Sequence, residues 1–167
     1  LDAVAGDRLT VFAASAGGGV WKSVDGGLMF YPVFDKHTQA VGAITIDPSN
    51  PKTIWVGTGE SWLRNSVSPG DGVYRSTDNG NSWTKLGLDQ TERIARIVVA
   101  PKDSATALVC ATGHAFDDHP DRGVYRTRDA GKTWEKVLYV APDVGCADLA
   151  MDPQDPNVLY AGMWQHR

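Results

Sequence analysis

Short stretches in which apolar and polar residues alternate, or in which β-branched residues cluster, are separated throughout the chain by turn-forming residues. Residues 40–88 carry the clearest case. VGAITI (41–46) alternates and is β-branched, and TIWVGT (53–58) is a second run of the same kind. Asp47-Pro48-Ser49-Asn50-Pro51 between them is dense in turn chemistry and predicts a tight hairpin. A longer polar stretch from Gly59 to Asp71 leads to a third strand, GVYRST (72–77), a turn at Asp78-Asn79-Gly80-Asn81, and a fourth strand, SWTKL (82–86). Four antiparallel strands in about fifty residues match one blade of a β-propeller.

The pattern recurs. GVWKSVDGGLMF from Gly19, GVYRSTDNGNSW from Gly72 and GVYRTRDAGKTW from Gly123 place Asp25, Asp78 and Asp129 at intervals of 53 and 51 residues. A second marker, the first proline of each Asp-Pro-like turn, falls at Pro48, Pro101 and Pro153, intervals of 53 and 52. Two markers sharing one period mean that the whole unit is duplicated. The predicted fold is all-β: a β-propeller fragment of four-stranded antiparallel blades, about three repeats in an open arc. Residues 1–39 are expected to supply the outer strands of one blade, 40–88 and 89–138 two full blades, and 139–167 the inner strands of another.

Each turn has its own chemistry. Ser76 and Thr77 bring the strand in, Asp78 accepts backbone N–H bonds, Gly80 allows positive φ, and Trp83 is expected to cover its hairpin. The third copy uses Thr127, Asp129, Gly131 and Trp134. The first is degraded, keeping Ser23, Asp25 and Gly27 but placing Phe30 at the tryptophan position. Ser-x-Asp-x-Gly-x-(Ser/Thr)-Trp resembles the Asp-box, or bacterial neuraminidase repeat, of sialidases, xyloglucan-hydrolysing glycosidases, sortilin-type receptor domains and photosystem assembly factors. With the Asp-Pro-x-Asn-Pro turn, the strand end Val56-Gly57-Thr58-Gly59-Glu60 and Arg64-Asn65-Ser66-Val67-Ser68, the chain looks most like the sortilin-like propeller of large bacterial proteins. The resemblance covers nearly the whole chain and implies a secreted, periplasmic or cell-surface location. It specifies a fold, and one fold hosts unrelated chemistries.

Composition narrows the classes. The chain is 42% hydrophobic and 22% charged with a formal net charge of −4, and it has no apolar run long enough to span a bilayer. It lacks the clustered basic residues of a nucleic-acid binder. The two cysteines, Cys110 and Cys146, are expected as small apolar core thiols, which leaves the compartment unread. The chain opens at Leu1 on a strand-like segment and is expected to be a piece of a longer protein, with the remaining blades as partners. Alone, an open arc is expected to self-associate or to be marginally stable.

Strand alternation puts the Asp-turns and the Asp-Pro turns on one face and the longer loops on the other, where ligands are expected. One loop carries Glu60, Trp62, Arg64, Asn65 and Asp71; its successor carries His114, Phe116, Asp117 and Asp118, followed by His119, Asp121 and Arg122. Rings beside carboxylates suit glycan or peptide recognition. Glu60 and Asp118 are the candidate acids, although a carboxylate near Arg64 reads first as an ion pair. The spacing of the acids and His119 matches no metal-binding pattern, so neither metal nor cofactor is expected. His37 and His166 are assigned no role. Arg96 and Asp148, each five residues before its proline, are expected to pair between blades.

Sialidases grip their substrate's carboxylate with three arginines, and Arg64, Arg93 and Arg122 lie in no motif that maps onto that triad. In xyloglucan-hydrolysing relatives a catalytic aspartate falls in a segment resembling Arg-Thr-Asp-Ile-Gly-Gly-Ala-Tyr-Arg. The matching stretch here runs from Ala14 to Lys22, with Ala16 at the acid's position, and an alanine moves no proton. The expectation is a ligand-binding segment for a peptide, protein or glycan. The alternative is part of a glycoside hydrolase whose acids lie partly outside this chain.

Overall fold

The computed structural model describes residues 1–165, and His166 lies outside the described residues. Among the described residues, fourteen strands form four antiparallel sheets in chain order. The first sheet holds β1 (Asp2–Ala3), β2 (Val11–Ser15), β3 (Gly19–Ser23) and β4 (Tyr31–Pro32). The second holds β5 (Val41–Ile46), β6 (Ile54–Thr58), β7 (Val73–Ser76) and β8 (Thr84–Lys85). The third holds β9 (Ile94–Ala100), β10 (Asp103–Ala111), β11 (Gly123–Thr127) and β12 (Glu135–Leu138). The last is the hairpin of β13 (Val144–Met151) and β14 (Leu159–Gln165). The N-terminal segment, expected to give outer strands alone, also supplies β1, a two-residue inner strand paired with Val11 and Phe12.

The core lies between the sheets. Phe12, Val20 and Phe34 of the first sheet meet Val41, Ile54, Val56 and Tyr74 of the second. Ala43, Trp55 and Val73 of the second meet Ile94, Ile97, Val109 and Tyr125 of the third. A middle sheet therefore buries both faces, and every residue of β6 is buried. Trp55 is fully buried, and burial of such a side chain is worth roughly 3 kcal/mol.

One expectation is corrected here. Cys110 and Cys146 are not free thiols: they form a disulfide from β10 to β13, with Cα atoms 5.1 Å apart. Their separation of 36 residues hides a contact made only when neighbouring inner strands lie face to face. Trp83 and Trp134 also do more than cover their own hairpins. Each indole reaches the preceding sheet, Trp83 Nε1 donating to the Val33 carbonyl and Trp134 Nε1 to the Leu86 carbonyl, both at 2.7 Å. The phenyl ring of Phe30 has no N–H to make this bond.

The turns themselves follow the sequence. Asp78 Oδ1 accepts from the Ser82 N–H at 2.8 Å and Oδ2 from the Ser82 hydroxyl at 2.5 Å, while the Ser76 hydroxyl accepts from the Gly80 N–H at 2.8 Å. Asp129, Thr133, Thr127 and Gly131 repeat this set. Two consecutive residues take positive φ in each copy: Gly26 and Gly27, Asn79 and Gly80, Ala130 and Gly131. Each Asp-turn is tied to the connection between the first two strands of its own sheet, through Gly26 N to Leu9 O, Asn79 N to Lys52 O and Ala130 N to Ala105 O, all at 2.9 Å. Both turn sets thus share one face, as alternation requires. Between sheets, the Lys22 ammonium donates to the Asn79 carbonyl (2.9 Å) and Arg75 Nη1 to the Ala130 carbonyl (3.0 Å).

Candidate functional site

The opposite face is built from the loops after β6 and β10, and from the connections between sheets. These loops are rooted by backbone bonds to their neighbours. Gly59 N donates to Ala40 O (2.8 Å), Gly70 N to Glu92 O (2.6 Å), Thr112 N to Arg93 O (3.0 Å) and His119 N to Pro142 O (2.9 Å). Glycine is required where they dock: a Cβ on Gly70 would overlap the backbone of Thr58 and Gly59.

Glu60 sits at the root of the first loop, only 5% exposed. Its Oε1 accepts from Arg64 Nη2 at 2.9 Å, its Oε2 from the Ser68 N–H at 3.1 Å, and its own N–H donates to the Ser68 carbonyl at 3.0 Å. All of its capacity is directed inward, folding residues 60–68 into a closed loop. Asp71 is likewise engaged, accepting from the Tyr74 hydroxyl (2.6 Å) and the Thr58 hydroxyl, with Lys85 at 3.4 Å. Desolvation first, then the hydrogen bond to Asp71, pushes the Tyr74 phenol well above its ordinary range.

The second loop is organised by Arg122, which the sequence places at the loop's end without a role. Arg122 is fully buried, and its guanidinium donates to the carbonyls of Thr112 (3.3 Å), His114 (2.7 Å) and Asp117 (3.1 Å). Burial pushes its pKa down, opposed by Asp118, Asp117 and Asp143. His114 lies flat against His119, ring centroids 3.6 Å apart, with its Nδ1 3.1 Å from Asp117 Oδ1 and 3.8 Å from Glu92 Oε1. Glu92 also pairs with buried Arg93. Among the described residues, no group of three or more His, Cys, Asp or Glu side chains is arranged to hold a metal ion.

The structure therefore divides the sequence candidates. Glu60, Asp71, His114 and Asp117 are drawn into internal networks, and Arg64 spends its charge on Glu60. Trp62 and Phe116, at matching places in the two loops, stand 90% and 80% exposed, and Asn65 is exposed beside the first. Asp118 is exposed and acts electrostatically on Arg122. In the first sheet the matching connection shrinks to Ala16-Gly17-Gly18, and it bears no acid. Arg96 and Asp148 do pair across sheets, Nε to Oδ1 at 3.1 Å, but in the open, so the bond is worth well under 1 kcal/mol.

Comparison with known proteins places this geometry. The chain is 32% identical over 147 residues to a probable oligoxyloglucan-reducing end-specific xyloglucanase of Neosartorya fischeri, a match covering 80% of the chain and 16% of that protein. It therefore spans about a sixth of that relative's length. The crystal structure of an ancestral GH74 enzyme superposes with a TM-score of 0.76 at 18% identity, over 99% of this chain and 22% of that one. The structure titled YCF48 bound to D1 peptide superposes with a TM-score of 0.58 at 20% identity, over 88% of this chain and 42% of that one. These likenesses establish the β-propeller fold. The profile of the Sortilin-Vps10 family, described as "Sortilin, neurotensin receptor 3", matches residues 18–138 and 71–166, and on that match the chain belongs to the Sortilin-Vps10 propeller family.

Proposed function

We propose that this chain is the recognition part of a larger exported protein, and that its loop face binds a glycan of the β-glucan class without itself supplying an acid pair. The observation that carries this reading is the contrast on that face. Trp62 and Phe116 present bare rings from equivalent positions, while Glu60 is sequestered by Arg64 and Ser68. Flat apolar rings flanked by polar groups suit the apolar faces of pyranose units. The xyloglucanase relative supports the glycan class. The disulfide supports export, since such bonds persist in oxidising compartments.

The relative's name also favours a second reading, in which the segment belongs to a hydrolase whose acids lie partly elsewhere. One titration series separates them. Xyloglucan oligosaccharides are titrated into the protein by calorimetry, with unstructured peptides as the competing ligand class. Trp62→Ala and Phe116→Ala are each expected to weaken glycan binding roughly tenfold, about 1.4 kcal/mol. Tighter binding of peptides than of glycans would refute the glycan class. Release of reducing sugar that is lost in Glu60→Gln or Asp118→Asn would refute the non-catalytic reading.

A further inference from the structure

Thr91, Glu92 and Arg93 join the two ring-bearing loops through a strained stretch of backbone. Glu92 takes φ 53° and ψ −39°, and the Arg93 N–H donates back to the Thr91 carbonyl at 2.5 Å. That is a γ-turn of positive φ, a rare and strained conformation for a residue with a Cβ. What holds it lies on both sides. The Glu92 carbonyl accepts from the Gly70 N–H at 2.6 Å, at the end of the loop bearing Trp62, and a Cβ on Gly59 would strike the same oxygen. The Glu92 carboxylate pairs with buried Arg93 and lies 3.8 Å from Nδ1 of His114, at the start of the loop bearing Phe116.

His114 is placed for a second proton. Its Nδ1 lies 3.1 Å from Asp117 Oδ1 and its Nε2 3.2 Å from the Gln90 carbonyl. A carboxylate and a carbonyl only accept. A neutral imidazole carries one N–H and serves one of them, whereas the imidazolium serves both. His119, stacked on it at 3.6 Å, is placed otherwise: its Nδ1 accepts from the Asp121 N–H at 3.3 Å, with the Asp121 carboxylate at the same distance. The cations around the pair are Arg93, which donates to Glu92 and the Gly113 carbonyl, and Arg122, which donates to three carbonyls. Asp118 and Asp143 act on Arg122, so the carboxylates that face His114 itself are Glu92 and Asp117.

We propose that Glu92 and His114 form a proton-dependent clasp that locks the loop bearing Phe116 to the root of the loop bearing Trp62. With the second proton in place, His114 ties Asp117 to Gln90 and faces the Glu92 carboxylate with a positive charge, which keeps the γ-turn wound. When that proton leaves, one of the two oxygens meets a lone pair instead of an N–H, and Glu92 loses its cation on that side. The γ-turn then relaxes and its carbonyl turns away from Gly70. Histidine is the side chain that ordinarily changes charge between about pH 5 and 8. Because the proton is the bond donor, the clasp is closed at the acid end of that range and opens as pH rises. On the loop face this sets the spacing of the two rings, a consequence that rests on the function proposed above, while the clasp itself belongs to the free chain.

In the free chain, nitrogen–proton correlation spectra read the ring nitrogens of His114, and amide exchange is read as protection factors, at about pH 5.5 and about pH 8. Both nitrogens of His114 are expected to carry protons at the lower pH. Protection of the Gly70 amide is expected to fall roughly tenfold at the higher pH, the size of one lost bond to a charged group, while amides of β6 and β10 keep theirs and confirm the fold. His114→Gln and Glu92→Gln are each expected to abolish this dependence. His37 is the competing histidine, since its ring packs on Tyr74, which donates to Asp71 beside Gly70; His37→Gln is expected to leave the dependence intact. Glu92→Gly frees the turn of its strain, and should lose the dependence without a fall in the urea midpoint, which a merely structural role would not give. Equal Gly70 protection at both pH values overturns the proposal. So does a dependence that survives His114→Gln, or a ring nitrogen of His114 without a proton at the lower pH. A chain that gives the expected readouts and binds no glycan keeps the clasp and overturns the function proposed above.

Discussion

Replacing Cys110 and Cys146 together by alanine removes the covalent tie between β10 and β13. The bond closes a span of 36 residues, and the chain-entropy relation for such a loop gives about 4 kcal/mol at 25 °C. Otherwise the last hairpin is held by a small apolar cluster, by the Thr112 hydroxyl donating to the Cys146 carbonyl at 3.0 Å and by the exposed Arg96–Asp148 pair. Cys146 and Leu149 are its buried apolar side chains in the shared core, whereas six of the seven residues of β14 are exposed. The double variant is therefore expected to unfold at lower urea with about 3–4 kcal/mol less stability, a fall in Tm of roughly 6–16 °C for a chain of this size. Exchange should report where the loss falls: amides of β13 open first, while β5 and β6, buried between two sheets, keep their protection. A loss under about 1 kcal/mol, or equal loss of protection in β6 and β13, would refute the view that the disulfide is the main hold on this hairpin.

Three further outcomes are expected. Trp134→Phe keeps the ring but leaves the Leu86 carbonyl without its donor, and should cost about 1–2 kcal/mol by urea titration, whereas Phe30→Leu, at a position without that bond, should cost well under half as much. Ala130→Asn places at φ 63° the residue type found at Asn79 (φ 64°), and should raise stability by up to about 1 kcal/mol in the same assay. Hydrogen bonds from the Ser82 hydroxyl and N–H hold Asp78 down at about 2, and those from Thr133 do the same for Asp129. Both groups titrate lower folded than unfolded, so their contribution is complete above about pH 4 and is lost as pH falls toward 2. Ser82→Ala should move the acid-unfolding midpoint upward, and a midpoint that stays put would count against the Asp-turn as a source of acid stability.

By itself the sequence determined the strands, their order and their turns. Alternation in residues 41–46 and 53–58, the Asp-Pro turns and the three Asp-turns are signals between residues a few positions apart, and the backbone answers them with local hydrogen bonds. The shared period even placed Arg96 opposite Asp148, because equivalent residues of adjoining blades lie side by side. Tertiary structure alone decided what passes between blades. The Cys110–Cys146 bond and the reach of Trp83 and Trp134 into a neighbour's carbonyl join residues 36 to 50 positions apart, and the rotation from one sheet to the next sets which atoms meet. The site divided in the same way. The candidate loops could be read from their length and polarity, but whether each side chain faces solvent could not. Glu60 and Trp62 are two residues apart in one polar stretch. Only the fold turns the carboxylate inward to Arg64 and Ser68 and leaves the indole in water, because burying a charge requires partners that the closed loop itself creates.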